Sequence, residues 1–446
     1  MNNYRPISNL TSISKLIEKA ALLQLNSYLC GNNLYAKCQS AYRQGHSTET
    51  ALVRVQNDVL HALDRGHDVI LILLDLSAAF DTIDHDILIH RLRCRFKIDG
   101  TVLQWITSYL RGRTMRVCVG SVVSGAQPLD CGVPQGSVLG PVLFSLYTTP
   151  LEDIITRHGL DTMFYADDSQ LYITRSCTSA PISQIENCIE EIRQWMNNNM
   201  LALNDSKTEV IRFSSKFSNG GRPRTCNIQV GEISINSSPV VRSLGVSLDQ
   251  SASMSPHVNS ICKSASFALW KIGKIRKLLD SHSTEKLVHA FITSRLDYCN
   301  SLLFGLPNYQ LKKLQLIQNS AARLVSLTKK ADHIQPVLFN LHWLPVHKRV
   351  EFKLLCLTYK VLHDIAPLYL KELLNIRVPG RTLRSTAEGA LSLHQPIGKT
   401  TFYGYRSFAI SAPLLWNKLP SEFRCFNNYD IFKSNVKTYL FKEFFD

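Results

Sequence analysis

The sequence predicts a mixed α/β (α+β) fold that is rich in strands before residue 250 and helical after it. Residues 69–74 form a continuous apolar run, which is typical of a strand buried on both faces. Residues 162–164 and 171–173 are β-prone and flank a polar turn. Residues 182–200 instead repeat apolar side chains at alternating steps of three and four, which indicates an amphipathic helix. Patterns of this helical kind continue after residue 250.

Two adjacent carboxylates, Asp167 and Asp168, belong to the Tyr-Ala-Asp-Asp stretch at residues 165–168. The β-prone flanks predict that this stretch forms the tip of a hairpin. Ionised carboxylates placed side by side repel each other unless a cation lies between them. An Asp-rich surface turn has the same local pattern, so a second motif is needed to favour metal binding.

The second motif is Asp75, which directly follows the apolar run. A carboxylate buried at the end of such a strand is costly unless it is paired or bound to metal. Three further acids open a helix predicted over residues 83–92, and acids favour the first turn of a helix. We interpret these three as solvated or capping; they are Asp81, Asp84 and Asp86.

Asp75, Asp167 and Asp168 together would supply oxygen ligands for two Mg²⁺ ions about 3.5–4 Å apart. Such a pair of ions suits an in-line displacement. One ion would activate a primer 3′-hydroxyl, and the other would hold a triphosphate and stabilise the leaving pyrophosphate. The three acids therefore predict a site for nucleotidyl transfer.

Seven motifs occur in a fixed order along the chain, at residues 3–8, 39–45, 74–81, 132–141, 164–168, 203–208 and 244–246. They read NYRPIS, QSAYRQG, LDLSAAFD, GVPQGSVLGP, FYADD, LNDSKT and LGV. On these motifs the chain resembles the reverse transcriptase region of LINE-type, non-LTR retrotransposons. The resemblance implies a right-hand polymerase, with fingers and palm over residues 1–250, a helical thumb over 251–330 and a mostly helical, basic region over 331–446. The palm is expected to be an antiparallel sheet backed by helices.

The resemblance also implies an activity, an RNA-directed DNA polymerase that extends a DNA primer along an RNA template with dNTPs. Its implied cofactor is Mg²⁺, as two ions, with Mn²⁺ as an alternative. The alternative function is a catalytically inactive, nucleic-acid-binding remnant of a truncated retroelement. It is suggested by the expected truncation, since Met1 lies two residues before the first motif and no endonuclease constellation occurs in the sequence, and by the basic C-terminal half. The implied location is intracellular, with nuclear DNA synthesis after cytoplasmic RNA-protein assembly.

Several nucleotide contacts follow from the resemblance. Phe80 would lie beneath the incoming sugar and exclude a 2′-hydroxyl; alternatively, it is a core residue on the first turn of a helix. Gln135 and Gly136 would form a turn against the templating base and incoming nucleotide, where glycine allows a close approach. Leu76 belongs to the same substrate-binding set. Arg43 would grip the triphosphate, since a guanidinium binds phosphate bidentately.

Other roles carried by the resemblance concern the leaving group and the primer. Lys207 would protonate pyrophosphate as it leaves, although a solvated loop lysine fits the sequence equally well. Leu244 and Gly245 match the primer grip. Arg5 is a further finger contact that the motif suggests less directly.

Charge is distributed unevenly along the chain. Residues 1–250 contain 23 basic and 23 acidic residues, whereas residues 251–446 contain 27 and 12, so the net charge of +15 arises entirely from the second part. A basic surface of this kind attracts phosphate backbone with little sequence preference. The C-terminal half is therefore expected to bind nucleic acid.

The helix predicted over residues 256–279, in the thumb position, has two distinct faces. At about 100° per residue, one arc is apolar and contains Val258, Ile261, Ala265, Leu269, Ile272, Ile275 and Leu279. The opposite arc contains Lys263, Phe267, Trp270, Lys271, Lys274 and Lys277. Basic residues interleaved with aromatic ones suit a helix lying along a nucleic-acid duplex. Alternatively, the two aromatic residues pack under another helix and the lysines are solvated.

The remaining features mainly exclude other classes of protein. None of the twelve cysteines forms a Cys-x-x-Cys pair, so a zinc-binding tail is not predicted. No signal peptide and no apolar run near 18 residues are present, which predicts a soluble, intracellular, thiol-reduced chain without a membrane partner. A helix is expected at residues 348–363, an irregular segment at 376–403, and short helices with aromatic anchors at 411–445.

Overall fold

The computed structural model describes residues 8–77, 80–175, 182–217, 225–377 and 391–446. Its first elements are α1 (Ser12–Gly31), α2 (Thr48–Asp64), β1 (Asp68–Leu74), β2 (Leu76–Ser77), α3 (His85–Cys94), α4 (Gly100–Leu110), β3 (Thr114–Met115), β4 (Cys118–Val119), β5 (Val122–Val123) and β6 (Gln127–Pro128). They are followed by α5 (Gly140–Thr148), α6 (Pro150–Arg157), β7 (Asp161–Tyr165), β8 (Asp168–Arg175), α7 (Ile182–Asn198), β9 (Ala202–Leu203), β10 (Glu209–Phe213), β11 (Asn227–Val230), β12 (Ile233–Asn236), β13 (Val240–Ser243) and β14 (Val246–Asp249). The helical second part contains α8 (Ser255–Ile275), α9 (Ser281–Val288), α10 (Ser294–Asp297), α11 (Asn308–Ser326), α12 (Ile334–Asn340), α13 (Val346–Leu362), α14 (Leu368–Lys371), α15 (Phe408–Lys418) and α16 (Tyr429–Phe445).

A four-stranded antiparallel sheet in the order β10-β1-β8-β7 forms the centre of the first part. Side chains of β1 alternate between two cores. Val69 and Leu71 pack on the side of α2 and the helical second part, whereas Ile70 and Ile72 pack on the side of α3 to α7. The expected strand buried on both faces and the expected antiparallel sheet backed by helices are both confirmed.

The helix after Asp75 begins later than predicted. Helix α3 starts at His85, because the Asp84 carboxylate accepts a hydrogen bond from the backbone N–H of Ile87 (2.9 Å) and caps it. Asp86 is exposed and paired with Arg111. Phe80 therefore lies outside the helix, so its alternative placement on a first helical turn is wrong.

Helix α8 ends at Ile275, four residues before the predicted end at Leu279. The side chain of Arg276 turns inward and donates hydrogen bonds to the carbonyls of Leu279, Leu324 and Val325 (2.7–2.9 Å). The guanidinium thereby pairs the carbonyls of two residues in the last turn of α11 and that of Leu279. Ile275 is left 43% exposed, which corrects its assignment to the apolar face.

The C-terminal region shares its core with the sheet. One continuous set of buried side chains extends from α2 and β1 through α8 and α11 to Trp416 and Phe432, whose rings lie 5.7 Å apart. These two residues confirm the aromatic anchors predicted for this region, although α16 is 17 residues long rather than short. The predicted division at residues 250 and 330 does not separate independent cores in the described part of the chain. Among the described residues, no helix has the length and apolar character needed to cross a membrane.

Asp64, at the end of α2, fixes the segment before α15. Its carboxylate accepts hydrogen bonds from the backbone N–H groups of Lys399 (2.8 Å) and Thr400 (2.7 Å) and from the Thr400 hydroxyl (2.8 Å). A Cβ on Gly404 would lie 2.6 Å from this carboxylate, so the approach requires glycine. Burial favours the neutral form of Asp64, but these hydrogen bonds outweigh it and lower its pKa below the ordinary value.

We expect Asp64→Asn to reduce the free energy of unfolding by about 1–3 kcal/mol, because an amide nitrogen would face backbone donors. A depressed pKa stabilises the fold above the unfolded value of about 4, and that contribution is lost as the pH falls through the folded value. The difference between parent and variant in the free energy of unfolding, measured with urea, should therefore be largest at pH 7 and should decrease below about pH 4. A difference that does not change with pH would contradict this account of Asp64.

Candidate functional site

The register of the central sheet brings the two acidic motifs to the same edge. Leu74 of β1 pairs with Ser169 of β8, so Asp75 follows β1 directly opposite Asp168. Tyr165 pairs with Asp168, which leaves Ala166 and Asp167 as a two-residue turn. The predicted hairpin tip is confirmed.

One cavity of about 430 Å³ opens beside these acids. It is lined by Leu73, Leu74, Asp75, Asp168, Ser169, Gln170, Ser206, Lys207, Glu209, Arg242, Ser243 and Leu244. Four of the residues singled out in the sequence thus share one cavity, namely Asp75, Asp168, Lys207 and Leu244. The cavity lies between the sheet and the β13–β14 hairpin.

The acids of this cavity affect one another electrostatically. Although Asp168 is partly accessible to solvent, burial raises its pKa, and the charges of Asp167 and Asp75 raise it further. The three carboxylates are therefore close enough to repel, and a cation is their natural complement. Carboxylate oxygens are ligands that Mg²⁺ prefers, so the donor set fits such an ion. Across the described ranges, no group of three or more His, Cys, Asp or Glu side chains is arranged so that it could hold a metal ion, and Asp75, Asp167 and Asp168 are no exception.

Lys207 lies on a short 3₁₀ turn, Asp205–Lys207, and points toward the acids. Its Nζ lies 3.5 Å from Oδ2 of Asp75, and two thirds of its side chain remain exposed. The backbone N–H of Asn204 donates to the carbonyl of Asp75 (2.9 Å), which ties this turn to the end of β1. An exposed ion pair of this kind adds little to the stability of the fold. Its relevance is that it places an ammonium group beside the acids.

The turn that contains Gln135 and Gly136 is fixed from two sides. Gly136 has a φ of +95°, a conformation that favours glycine, as predicted. The Gln135 amide donates to both carboxylate oxygens of Asp81 at 3.0 Å. Asp81 is thus not simply solvated or capping, which corrects its interpretation from sequence.

Glu18 holds the other side of this turn and was missed in the sequence. This carboxylate is only 1% exposed, and its Oε2 accepts from the backbone N–H groups of Val138 (2.7 Å) and Leu139 (3.2 Å) and from the Tyr109 hydroxyl (3.3 Å). Its negative charge lies at the N-terminus of α5, where it pairs the N–H groups just before the helix while the Ser137 hydroxyl accepts from that of Gly140 (3.0 Å). In the sequence, the only indication of this role was a single Glu within a largely apolar helical stretch.

Phe80 packs in this neighbourhood as a half-buried ring. Its ring stacks on Phe144 with 4.6 Å between centroids, and its carbonyl accepts from the N–H of Val133 (2.9 Å). Helix α5 thus supports the ring, and the loop that contains Gln135 fixes the backbone of Phe80.

The β13–β14 hairpin ends in Leu244 and Gly245, with φ values of +45° and +82°. The hydroxyl of Tyr298 donates to the Leu244 carbonyl (2.7 Å), and a Cβ at Gly245 would make a tight contact of 3.2 Å with its ring. The hairpin tip beside the acids is therefore fixed by a residue of the helical part. Tyr298 is another contact that the sequence did not indicate.

The side chains of two expected nucleotide contacts are engaged in other interactions. Arg43 donates to the carbonyls of Ala36 (2.9 Å) and Gln39 (3.0 Å), stacks over Tyr35, and lines a separate cavity that none of the three aspartates lines. Its guanidinium stabilises its own loop instead of reaching the acids. The side chain of Leu76 is 7% exposed and packs in the core, so only its backbone is available. Arg5 lies outside the described residues.

The predicted basic face of α8 is exposed. Phe267 and Trp270 are 57% and 54% exposed and stack on each other with 5.9 Å between centroids. The Nζ atoms of Lys271 and Lys274 lie 4.6 Å and 3.7 Å from the centroids of these two rings. Lys263 is also exposed, and so is Lys277, which lies on the 3₁₀ turn Arg276–Leu278 directly after α8 and not on the helix as predicted. The alternative in which the aromatic residues pack under another helix is wrong.

Comparison with known proteins gives a consistent family. A family model described as "Reverse transcriptase (RNA-dependent DNA polymerase)" matches residues 1–248. The chain is 27% identical over 337 residues to the probable RNA-directed DNA polymerase from transposon BS of Drosophila melanogaster, covering 73% of this chain and 36% of that protein. It is 28% identical over 267 residues to the RNA-directed DNA polymerase from mobile element jockey of the same species, covering 58% and 28%. The chain thus spans about a third of the length of these relatives.

Among the solved structures that align with this chain are two of telomerase. Apo telomerase from Candida tropicalis aligns with 12% identity and a TM-score of 0.41, covering 79% of this chain and 59% of that chain. The same telomerase with a fragment of telomeric RNA aligns with 13% identity and a TM-score of 0.41, covering 77% and 54%.

We expect Glu18→Gln to loosen the Gln135 turn, because an amide cannot accept from both backbone N–H groups and the tyrosine as a carboxylate does. The free energy of unfolding should fall by about 1–3 kcal/mol. In hydrogen exchange, the amides of Val138 and Leu139 should lose protection.

Glu152→Gln is a matched control, since the Glu152 carboxylate accepts from the backbone N–H groups of Lys37 (3.0 Å) and Cys38 (2.8 Å). That variant should expose the amides of residues 37 and 38 and leave residues 138 and 139 protected. If the amides of residues 138 and 139 exchange equally fast in the Glu18→Gln and Glu152→Gln variants, Glu18 does not fix the turn.

Proposed function

Because the chain belongs to the reverse transcriptase family, we propose that it is an RNA-directed DNA polymerase that adds dNTPs to the 3′-hydroxyl of a DNA primer on an RNA template. The observation that carries the proposal is the shared cavity of Asp75, Asp168 and Lys207, with Asp167 in the adjoining turn. Acids that meet at a strand edge beside a lysine suit phosphoryl transfer, in which charge must be balanced on both the attacking and the leaving oxygen.

The proposed metal ligands are Asp75, Asp167 and Asp168. The family implies dependence on a divalent metal, and two Mg²⁺ ions, or Mn²⁺ in their place, would make the primer hydroxyl more acidic and balance the charge of pyrophosphate when bound. The contribution of the protein is to hold three carboxylates together against their mutual repulsion. Paired strands can do this because β1 and β8 are fixed by the surrounding core.

Lys207 is the proposed general acid for pyrophosphate. Its ammonium group lies 3.5 Å from Asp75 and is open to solvent, so it can move toward a leaving group. Proton transfer by a positioned side chain typically contributes about 10²- to 10⁴-fold to the rate. Phe80, braced by Phe144, is the proposed barrier to a 2′-hydroxyl.

The remaining proposed contacts bind template, primer and nucleotide. Gln135 and Gly136 would contact the templating base and the incoming dNTP, and Leu244 and Gly245 would support the primer end. The exposed face of α8 would lie along the RNA-DNA duplex, with lysines at phosphates and Phe267 and Trp270 at sugars. From the resemblance to retrotransposon polymerases, we also propose that DNA synthesis occurs in the nucleus and RNA-protein assembly in the cytoplasm.

Replacing Asp167 by Asn tests the activity directly. We expect primer extension on RNA to fall by about 10²-fold or more, because loss of even an indirect metal contact commonly costs 10- to 100-fold. Template-primer affinity should stay within about twofold, since the basic surface is unchanged. Extension by both proteins is measured in Mg²⁺ and in Mn²⁺, and affinity by fluorescence anisotropy.

Asp430→Asn is a matched control, because it makes the same change at an exposed position on α16. It should extend like the parent. Equal extension by parent and Asp167→Asn would show that the metal assignment is wrong. A parent that binds RNA-DNA duplex but extends nothing in either metal would instead favour the inactive nucleic-acid-binding remnant.

The basic face of α8 is tested by salt dependence. Each lysine that no longer neutralises a phosphate should reduce the slope of log K against log salt by about 0.9 on B-DNA, so a variant with four lysines replaced by alanine should flatten it by up to about 3.6. The lysines are Lys263, Lys271, Lys274 and Lys277. Binding should weaken for all sequences without a change in dNTP selection.

A charge-matched control replaces four exposed lysines of α15 and α16, namely Lys418, Lys433, Lys437 and Lys442. It lowers the net charge equally, so a purely global charge effect would flatten both slopes alike. A slope that changes only in the α8 variant supports direct contact by that face.

A further inference from the structure

The outer edge of β7 is covered by a short parallel segment from the N-terminal part of the chain. The N–H of Phe164 donates to the carbonyl of Cys38 (3.0 Å), and the N–H of Ser40 donates to the carbonyl of Phe164 (2.9 Å). Glu152, in the first turn of α6, accepts from the N–H groups of Lys37 and Cys38 and anchors the segment from the other side. The segment is therefore attached both to the sheet and to a neighbouring helix.

Gln39 projects from this segment to the turn between the acidic strands. It is 3% exposed, and its Oε1 accepts hydrogen bonds from the backbone N–H groups of Ala166 (3.1 Å) and Ala41 (3.0 Å). An amide oxygen has two lone pairs, and both are used here. One buried side chain thus connects the anchored segment to the residue that precedes Asp167.

Ala166 needs such a connection because its backbone is strained. Its φ is +58°, in the left-handed region where the Cβ of an L-residue crowds the adjacent carbonyl. A residue other than glycine stays there only if its surroundings fix it. The conformation of Ala166 sets the direction in which Asp167 and Asp168 leave the turn.

We propose that Gln39 is a positioning residue for the divalent-metal site: through Ala166 it fixes the turn that presents Asp167 and Asp168. The inference rests on the proposed function for the nature of the ligand, a divalent cation held by these acids. Residues that orient metal ligands from outside the coordination sphere commonly change metal affinity by about 10- to 100-fold when they are replaced.

Gln39→Met tests the inference, since methionine has a similar shape but cannot accept these hydrogen bonds. Mn²⁺ binding to the full chain is measured by electron paramagnetic resonance without nucleic acid, together with thermal unfolding. The variant should bind Mn²⁺ about tenfold more weakly than the parent. In primer extension, kcat should fall and the KM for the primer-template should stay nearly constant.

Gln318→Met is the matched control. Gln318 is also buried, at 3% exposure, and its amide donates to the carbonyl of Leu344 (2.8 Å) on the helical side, outside the lining of the acidic cavity. It should lower the unfolding temperature without changing Mn²⁺ affinity. If Gln39→Met also lowers only the unfolding temperature, Gln39 is structural and the inference is overturned.

A second substitution asks whether the effect passes through Ala166. Glycine adopts positive φ without strain, so Ala166→Gly in the Gln39→Met background should restore most of the lost Mn²⁺ affinity. A double variant as weak as Gln39→Met would overturn the inference. Gln39-dependent Mn²⁺ binding in a chain that extends no primer would refute the proposed polymerase activity and leave the role of Gln39 supported.

Discussion

The pairing of β1 with β8 is the constraint on which the candidate site depends. It sets Asp75 against Asp168 at one edge of a sheet whose strands are buried on both faces. A shift of register by one residue would turn every buried side chain of β1 to the opposite face. The two cores on either side of the sheet forbid that shift. Packing energy far from the acids thus holds like charges together.

The turns around the site are each fixed by a polar side chain from a distant part of the chain. Glu18 pairs backbone N–H groups just before α5, beside Gln135, and Tyr298 holds the hairpin tip at Leu244. Gln39 does the same at Ala166. All three of these turns have backbone groups that regular secondary structure does not satisfy, and a buried unpaired group costs about 1–3 kcal/mol. Hydrogen bonds from elsewhere remove that cost and also determine where the turns lie.

Charge and packing are distributed differently over the chain. The net positive charge arises entirely after residue 250, yet the helices of that part share one hydrophobic core with α2 and β1. The helical region is thus built onto the sheet and presents its lysines outward, as α8 does with Lys271 and Lys274. A basic surface rigidly joined to an acidic cavity could bind a nucleic-acid backbone at one place and position its end at another.

Much of this arrangement follows from local sequence patterns. The continuous apolar run before Asp75 and the β-prone flanks of Asp167 are typical of strands, and the two-faced pattern of α8 has the period that a helix imposes. These patterns predicted the strands, the hairpin tip and the exposed aromatic pair. The motifs, which occur in the order of the family, carried the resemblance. The resemblance in turn implied an antiparallel sheet.

Only the tertiary structure decided which polar side chains meet. Arg43 binds carbonyls of its own loop, Asp81 binds Gln135, and Arg276, directly after α8, binds the carbonyls of Leu324 and Val325. Such contacts depend on where distant backbone groups are left unpaired after packing, and the partners have no regular spacing in sequence. Local sequence patterns therefore determined the elements and the placement of the acids at the ends of strands. Long-range hydrogen bonding, which has no period, determined how the turns that present those acids are held.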